Sequence, residues 1–319
     1  MIGQEYVLGV DVGGTNIKLS GMNRECIPQR VVLCPTPACQ SEITESIYNA
    51  IEEYIEEKAK KPAAIGIGLV GHVNSKDGIW ENAINIKITK PVNIRGEILS
   101  RFGVPVFIDN DVRMATRAEM SFGAGKTVND FIYINIGTGI AAGIVSGGRI
   151  VGGVCNYAGE IGHMAYGDQT RLCKCGRKGC LEPSVSGGGM VAIAKEEAAQ
   201  NPISSFAGVV NGESINAGII YREAKRGDPL AIKITEAAMH SLECAVTDLV
   251  NLLNPALIIF GGGAILKEFI LKRLTGYVYK NALPVAARGL IGIKVSELDP
   301  ALLGLIGAGC AAWLGLEDA

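Results

Sequence analysis

The feature that most constrains the fold is an arrangement of strand, glycine turn and strand that occurs twice in the chain. The first copy is YVLGVDVGGTNIKLSGM, at residues 6–22, and the second is FIYINIGTGIAAGIVSGG, at residues 131–148. In each copy an apolar stretch typical of a buried strand runs into glycines and a threonine, and a second apolar stretch follows. Helical patterns, notably at 213–226 and 229–253, alternate with further short apolar stretches. The repeat predicts two similar α/β halves with a cleft between them.

Length, charge and cysteine usage narrow the class of protein. The chain has 319 residues, of which 48% are hydrophobic, and its formal net charge is −2. This length suffices for two domains with large buried cores. A nearly neutral chain without a basic stripe is not expected to bind nucleic acid, and no apolar run approaches the roughly 18 residues of a membrane span. The N-terminal residues show no secretory signal and most of the nine cysteines are scattered singly, so we expect a soluble cytoplasmic protein.

Glycine turns that follow apolar strands can bind phosphate, because their backbone N–H groups are not shielded by Cβ atoms. Two such turns lie in the repeated segments, and a third follows the apolar stretch ALIIF before a predicted helix. Each turn alone also fits a tight hairpin, but three in this arrangement favour phosphate binding. The chain has neither a GxxxxGK[ST] loop nor a GxGxxG fingerprint after its first strand. The predicted phosphate-binding residues are Asp11, Gly13, Gly14, Thr15, Lys18, Gly137, Thr138, Gly139, Gly261 and Gly262.

Three cysteines and a histidine gather in one short segment, EIGHMAYGDQTRLCKCGRKGCLE. Three thiolates and an imidazole form a recognised tetrahedral zinc set, which leaves no open position for catalysis. The spacing CxCxxxxC with a distant histidine is not the commonest one, so the residues alone also allow a reduced loop with incidental thiols. The candidate ligands are His163, Cys173, Cys175 and Cys180.

Taken in order, DVGGTNIK, IDND, NIGTG, EIGHM and CKCGRKGCLE resemble the motifs of the ROK family, which comprises sugar kinases and repressors. The resemblance covers nearly the whole chain, and the pair EIGH and CxCGxxGCLE is its most specific part. It implies a two-lobed, actin-like or hexokinase-type ATPase fold built from ribonuclease H-like repeats. We expect one lobe at residues 1–114 with a C-terminal helix at about 301–319 packing on it, and the other lobe at 115–300. Family repressors carry a helix-turn-helix before the first strand, and about five residues precede it here, so a kinase is expected.

The resemblance also implies a role for each motif. In IDND, Asp111 is the base that takes the proton of the sugar hydroxyl and Asn110 contacts the sugar, whereas Asp109 falls where relatives vary. The residues alone leave helix capping as the alternative for Asp111. Mg²⁺ accompanies ATP near Asp11, and structural Zn²⁺ on the four candidate ligands holds His163 rigidly toward the sugar. The implied sugar contacts are Gly71, Asn110, Asp111, Glu160, His163 and Glu182.

The identity of the sugar is less well indicated. GLVGHVN, at 68–74, and ENAINIKI, at 81–88, depart from the pattern of relatives, although the second keeps Asn85. Arg113 and Arg117 replace small residues after the Asn-Asp pair, which leaves the packing of that helix open. We expect a homodimer that phosphorylates glucose with ATP. The alternatives are a kinase of N-acetylglucosamine, N-acetylmannosamine or fructose, a non-catalytic sugar sensor, and an actin-like ATPase without sugar chemistry.

Two expectations concern how the motifs depend on each other. A side chain at Gly139 should weaken nucleotide binding far more than sugar binding, because it would occupy the approach of the phosphate. Cys175→Ser should remove the zinc and weaken sugar binding, yet spare nucleotide binding, because the glycine turns lie in other segments.

Overall fold

The structure, a computed structural model, divides the chain into two compact units. Unit 1 comprises residues 1–127, 150–158 and 297–319, and unit 2 comprises residues 128–149 and 159–296. The division into lobes at 1–114 with 301–319, and at 115–300, stays a prediction. The described residues are 5–83, 86–212, 214–263 and 268–318.

The described residues form strands and helices in both units. The strands are β1 (Val7–Val12), β2 (Asn16–Met22), β3 (Val32–Pro35), β4 (Ile65–Leu69), β5 (His72–Asn74), β6 (Ile79–Asn82), β7 (Val106–Asn110), β8 (Phe131–Ile136), β9 (Ile140–Ser146), β10 (Arg149–Ile150), β11 (Leu257–Gly261) and β12 (Gly292–Val295). The helices are α1 (Gln40–Lys58), α2 (Ile94–Phe102), α3 (Asp111–Ser121), α4 (Glu182–Val185), α5 (Gly187–Gln200), α6 (Ser205–Gly212), α7 (Ala217–Lys225), α8 (Pro229–Leu253), α9 (Glu268–Asn281), α10 (Pro284–Gly289) and α11 (Leu303–Glu317). None of the helices described here is long and apolar enough to cross a membrane.

The two large sheets share one strand order. The sheet of unit 1 has the order β3-β2-β1-β4-β7, and the sheet built around β8 has the order β10-β9-β8-β11-β12. In both, the strand before the glycine turn is antiparallel to the strand after it and parallel to a later strand of the same unit. This confirms the α/β fold of repeated halves that the two strand, turn and strand segments predicted.

Helix α11 packs directly on the sheet of unit 1 because glycines on two strands let the backbones approach. A Cβ at Gly66 of β4 would overlap the backbone oxygen of Ala308, and one at Gly9 of β1 would lie 2.9 Å from the backbone oxygen of Leu305. Only a residue without a side chain fits at such separations. These two glycines therefore set how closely α11 lies against β1 and β4.

The predicted helices of unit 2 differ in how well their ends were placed. Helix α8 runs from Pro229 to Leu253, as predicted. Helix α7 begins at Ala217, later than predicted, because the side chain of Asn216 accepts a hydrogen bond from the backbone N–H of Ile219 and caps the helix there. Residue 213, Asn85 and the residues 264–267 directly after the third glycine turn lie outside the described residues.

Candidate functional site

The predicted sugar-contacting residues of unit 1 lie at the carboxyl ends of parallel strands. Strands β4 and β7 pair so that Leu69 is opposite Asn110, and Gly71 follows two residues after Leu69. The Asn110 side chain donates from Nδ2 to the backbone oxygen of Gly71 at 2.8 Å and accepts at Oδ1 from the N–H of Val112 at 2.9 Å. The structure thus brings Gly71 and Asn110 together, and two hydrogen bonds fix the orientation of the Asn110 amide.

Asp111 is the first residue of α3, and Asn110 is the N-cap residue. The half-buried Asp111 carboxylate also accepts from the N–H of Val112, at 3.0 Å from Oδ1. A carboxylate in the first turn interacts favourably with the helix dipole. Because Asn110 occupies the N-cap position, capping does not by itself account for the carboxylate at Asp111.

A buried ion-pair network lies directly behind these two residues. Asp109 and Arg113 are each only 3% exposed, and Nε of Arg113 lies 2.7 Å from Oδ1 of Asp109. Nη2 of Arg117 lies 3.2 Å from the other oxygen of the same carboxylate. Among the described residues, Nη2 of Arg113 and Nε of Arg117 are buried without a hydrogen-bond partner. The sequence motifs predicted neither the packing of Arg113 and Arg117 nor a role for Asp109. The structure shows that the two arginines compensate the charge of the Asp109 carboxylate.

Asn156 connects this network to the loop at residues 150–158. Its backbone oxygen accepts from Nη1 of Arg113 at 2.7 Å, and its Nδ2 donates to the backbone oxygen of Val73 at 2.7 Å and to Oγ of Ser75 at 2.8 Å. The φ of Asn156 is 59°, a left-handed conformation that asparagine tolerates better than most residues. Asn156 belongs to none of the predicted sites, and an asparagine in a glycine-rich loop is the one sequence signal for its special backbone position.

His72, in the segment GLVGHVN that departs from the pattern of relatives, holds the loop at residues 150–158. Its Nε2 donates to the backbone oxygen of Cys155 at 3.0 Å, since a carbonyl oxygen can only accept. The ring also lies edge-on to Tyr157, with 4.0 Å between the ring centroids. His72 therefore holds residues 155–157 next to the strand that follows Gly71.

The first phosphate candidate, Asp11, lies on β1 opposite Gly68 of β4. Nζ of Lys18 is 3.5 Å from its carboxylate, and a Cβ at Gly304 would lie 2.7 Å from Oδ1, so the carboxylate lies against the first turn of α11. Burial raises the pKa of Asp11, and the neighbouring Lys18 opposes that shift. The Asp11 carboxylate at the end of β1 thus lies beside the Lys18 ammonium group.

The first glycine turn is closed by a hydrogen bond from the N–H of Gly13 to the oxygen of Asn16, at 3.0 Å. Thr36 holds the turn from outside, with its hydroxyl donating to the oxygen of Gly13 and its N–H donating to the oxygen of Thr15, both at 2.8 Å. Gly14 and Thr15 are exposed. Their backbone N–H groups have no acceptor within the part of the chain that the structure describes, so they are open to an anion.

The second glycine turn is also closed by a backbone hydrogen bond, and in addition it is supported by a helix that was not among the predicted contacts. The N–H of Gly137 donates to the oxygen of Gly139 at 2.9 Å, and Thr138 at the tip is exposed. The first turn of α5 supports it, since Gly187 donates to the oxygen of Gly137 at 2.8 Å and Gly188 to the oxygen of Thr138 at 3.2 Å. The run of three glycines behind a serine cap was the signal for this support, because a Cβ at Gly187 would lie 2.9 Å from the oxygen of Gly137 and one at Gly188 would lie 2.7 Å from the oxygen of Thr138.

In the third glycine turn, after β11, close packing by itself explains why glycines are needed. A Cβ at Gly261 would overlap the hydroxyl of Tyr133, and one at Gly262 would overlap the backbone oxygen of Ile136. Gly262 also has a φ of 95°, which L-residues with side chains rarely adopt. Phosphate binding by Gly261 and Gly262 stays a prediction.

The four candidate zinc ligands come together in unit 2. One ligand atom from each of His163, Cys173, Cys175 and Cys180 lies within 4.8 Å of all the others. The Sγ atoms of Cys175 and Cys180 are 3.6 Å apart, and Sγ of Cys173 is 3.7 Å from Nδ1 of His163. Ligands of a tetrahedral zinc ion are about 3.5–3.8 Å apart, given its usual bond lengths. The donor set and its spacing fit a structural zinc site, with Nδ1 as the histidine ligand.

Backbone hydrogen bonds shape this loop around its ligands. The N–H of Cys173 donates to the oxygen of Arg177 at 2.7 Å, and the N–H of Gly176 donates back to the oxygen of Cys173 at 2.9 Å. Gly176 has a φ of 86°, which the tight turn requires. The guanidinium of Arg177 then donates to the backbone oxygen of His163 at 2.7 Å. The turn at residues 173–177 therefore links Cys173 and Cys175 to His163.

The thiols of the loop differ in acidity. A hydrogen bond from the backbone N–H of Arg177 lowers the pKa of Cys175 to about 6. Burial raises the pKa of Cys180 to about 11 and also raises that of Cys173. Zinc binds thiolates, so metal binding has to displace protons mainly from the two buried thiols.

The two glutamates that flank the zinc loop occupy different environments. Glu160 is exposed and precedes the short 3₁₀ turn Ile161–His163. Glu182 is half buried at the start of α4, and its Oε2 accepts from the N–H of Ile140 at 3.2 Å. Glu182 therefore lies against the second glycine turn.

Comparisons with known proteins agree with these motifs. The ROK family profile matches residues 7–309. A putative xylose repressor of Caldicellulosiruptor sp. is 30% identical over 92% of this chain and 74% of the relative, and a glucokinase of Halalkalibacterium halodurans is 30% identical over 89% and 88%. Among solved structures, a ROK family glucokinase from Streptomyces griseus in complex with glucose and AMPPNP has a TM-score of 0.77 and 29% identity, with 97% of this chain and 100% of that chain covered. The chain belongs to the ROK family.

Proposed function

We propose that this protein transfers the γ-phosphoryl group of ATP to a hydroxyl of a hexose, with glucose as the first candidate acceptor. The observation that carries the proposal is the pair Asn110 and Asp111, which stands where β7 ends and α3 begins. Phosphoryl transfer needs a carboxylate within reach of the attacking hydroxyl and groups that align the sugar. The solved glucokinase relative, described with glucose and AMPPNP, supports a sugar and an ATP as the two ligands.

On the acceptor side, Asn110 retains hydrogen-bonding capacity for a sugar. A side-chain amide has two N–H groups and two acceptor lone pairs, and Asn110 uses one of each for Gly71 and Val112. In the proposed step the sugar oxygen forms a bond to the γ-phosphorus, the bond to the β-phosphate oxygen breaks, and the hydroxyl proton passes to Asp111. Glu160, His163 and Glu182 are assigned to the other hydroxyls of the sugar.

On the nucleotide side, the exposed amides of the first two glycine turns are assigned to the phosphates. Lys18 adds a positive charge next to Asp11. Mg²⁺ usually keeps several of its water ligands when it binds nucleotide phosphates, and the Asp11 carboxylate is assigned as a hydrogen-bond acceptor for these waters. When bound, Mg²⁺ neutralises charge on the β- and γ-phosphates. The amides and the lysine orient the phosphates around it.

The zinc loop is assigned a structural role that also serves the sugar. Zinc on four protein ligands has no open position, so its contribution is rigidity. With Nδ1 of His163 turned to the thiols, Nε2 is the nitrogen left for a sugar hydroxyl. A cross-linked loop can hold such a polar contact more precisely than a free one.

A sugar-sensing regulator is the second candidate, because a putative xylose repressor is among the relatives. A sensor needs sugar binding without transfer, and the presence of the Asn110 and Asp111 pair at the helix start supports transfer. The two candidates make opposite predictions for ADP formation.

A coupled ADP-release assay over glucose, fructose, xylose, N-acetylglucosamine and N-acetylmannosamine tests the proposal. We expect turnover with at least one hexose, and a second series with polyphosphate identifies the donor. Asp111→Asn should keep sugar affinity and lower kcat by about 10²–10⁴-fold, because an amide does not take up the proton. Asp77→Asn, an exposed residue of unit 1, is the matched control and should leave kcat unchanged. Sugar binding by calorimetry without ADP release from any sugar would establish the sensor instead.

A further inference from the structure

We infer that Glu182 is a positioning residue for the second glycine turn, and through it for the phosphates of the nucleotide. The inference rests on the proposed function, since it deepens the role of a residue so far assigned only to the sugar. It leads to a different expectation for Cys175→Ser, in which nucleotide binding is no longer fully spared.

The first observation is direct contact between the carboxylate and the turn. Oε2 of Glu182 accepts from the N–H of Ile140 at 3.2 Å. A Cβ at Gly139 would lie only 2.6 Å from the same oxygen and 3.5 Å from Cδ. Glycine at position 139 therefore leaves room for the carboxylate as well as for a phosphate. A side chain there would displace Glu182, so Gly139→Val is now expected to disturb the sugar side too.

The second observation is that the turn is held from two sides. The N–H groups in the first turn of α5 donate to the oxygens of Gly137 and Thr138. On the other side, the carboxylate of Glu182 accepts from the N–H of Ile140. These bonds leave the N–H groups of Thr138 and Gly139 without an acceptor among the described residues. The same bonds occupy the first amides of α5, so the tip of the turn, not the helix start, offers donors to a phosphate.

The third observation is that the support for Glu182 comes from the zinc loop. Glu182 follows the ligand Cys180 by two residues. Gly162, next to the ligand His163, is packed so closely that a Cβ there would lie 2.6 Å from the oxygen of Ile140 and 3.2 Å from Cβ of Glu182. Both ends of the zinc loop thus contact β9, the strand that follows the second glycine turn. Glu182 provides a hydrogen bond between the loop and this strand.

The experiment measures the affinity for Mg²⁺ with AMPPNP by calorimetry, without any sugar, for wild type, Glu182→Ala and Glu182→Gln. Loss of one partly buried hydrogen bond to the turn should weaken nucleotide binding by about tenfold in Glu182→Ala. Glu182→Gln should stay within about twofold of wild type, because its amide oxygen still accepts from Ile140. Glu236→Ala, which removes an exposed carboxylate paired with Arg273 in the same unit, is the matched control and should not change the affinity.

Amide hydrogen exchange over residues 137–146 provides a second measurement that does not depend on nucleotide. Glu182→Ala should speed exchange in this segment, and Glu182→Gln should not. Unchanged nucleotide affinity in Glu182→Ala, or equal losses in the alanine and glutamine variants, overturns the inference. If the wild-type protein binds no nucleotide, the proposed function itself is contradicted. Faster exchange in Glu182→Ala would in that case show that Glu182 holds the turn for a purpose other than phosphate binding. That result would overturn the inference about phosphates as well.

Discussion

The two units hold their candidate residues in place by different means. In unit 1, Asn110 and Asp111 continue directly from a strand of the sheet, and the buried pair of Asp109 and Arg113 lies behind them. In unit 2, the candidate sugar and zinc ligands are spread over the loop at 160–182, which has little regular structure, and three thiols and an imidazole gather within it.

The difference shows what each kind of backbone needs. The end of β7 is already positioned by its pairing with β4, so this strand end needs in addition only compensation of the buried charge of Asp109. A loop has no such ladder, and a cross-link has to take its place. A zinc cross-link would fix the geometry of the loop that presents His163, whereas a buried ion pair adds little net stability but is costly to break. Damage to the zinc site should therefore appear mainly as lost sugar binding, and damage to the ion pair as lost stability.

The largest expected effect is on the ion-pair network. Asp109→Asn leaves the buried Arg113 and the nearby Arg117 without an anion, so the free energy of unfolding should fall by about 3–5 kcal/mol. Urea unfolding of the purified variant measures the change. Zinc content should stay that of wild type, because the network and the metal ligands belong to different units.

Asp77→Asn is the matched control for this variant, since it changes an exposed aspartate of the same unit and should alter the free energy of unfolding by less than about 0.5 kcal/mol. A similarly small change in Asp109→Asn would show that the strand end does not depend on charge compensation.

The next largest effect is expected for the metal cluster. Cys175→Ser should lose zinc, because a serine hydroxyl is a poor replacement for a thiolate, and sugar affinity should fall roughly 10–100-fold as His163 loses its fixed direction. Given the contact between Glu182 and the turn, nucleotide affinity should also fall, by a smaller factor. Metal analysis and calorimetry on one preparation measure all three quantities.

Cys39→Ser, at an exposed cysteine of unit 1, serves as the control and should keep metal and both affinities. A zinc-free Cys175→Ser protein with wild-type sugar affinity would mean that the cluster stabilises the loop without shaping the site, and the contrast between the two units would then disappear.

The smallest expected effect concerns Asp11, where burial raises the carboxyl pKa. A raised pKa means that the folded state binds the proton of Asp11 more tightly than the unfolded state, so the contribution of Asp11 to stability is most favourable at low pH and declines as pH rises through the folded pKa. Asp11→Asn carries no charge, so at pH 7 it should unfold at a higher urea concentration than wild type. The difference should shrink as pH falls toward the ordinary aspartate range near about 3.9.

The same variant should lose affinity for the nucleotide with Mg²⁺, which would make Asp11 a residue kept for function at the expense of stability. Asp77→Asn should show no such dependence on pH. A lower urea midpoint for Asp11→Asn at pH 7 would indicate that the pair with Lys18 outweighs the burial of the carboxylate.

Much of the fold could be predicted because its signals are local. The repeated strands and glycine turns could be recognised from short segments, and α8 was placed correctly because Asp228 caps it, Pro229 opens it and Asn254 ends it in a left-handed conformation. The start of α7 was misplaced because its helical pattern extended upstream of the capping residue Asn216. Pattern alone does not say which of several polar residues will cap a helix.

The sequence by itself determined the duplicated α/β architecture, the set of four candidate metal ligands, and the Asn-Asp pair at a strand end, since each depends on residue types at short spacing. Only the tertiary structure decided that Arg113 compensates Asp109, that His72 holds the loop at Cys155, and that Glu182 supports the turn at Ile140. The last two contacts join residues 83 and 42 positions apart in the chain, and the first depends on burial that no local pattern reports. Contacts of this kind are set by how the strands, loops and helices pack, which a one-dimensional pattern does not contain.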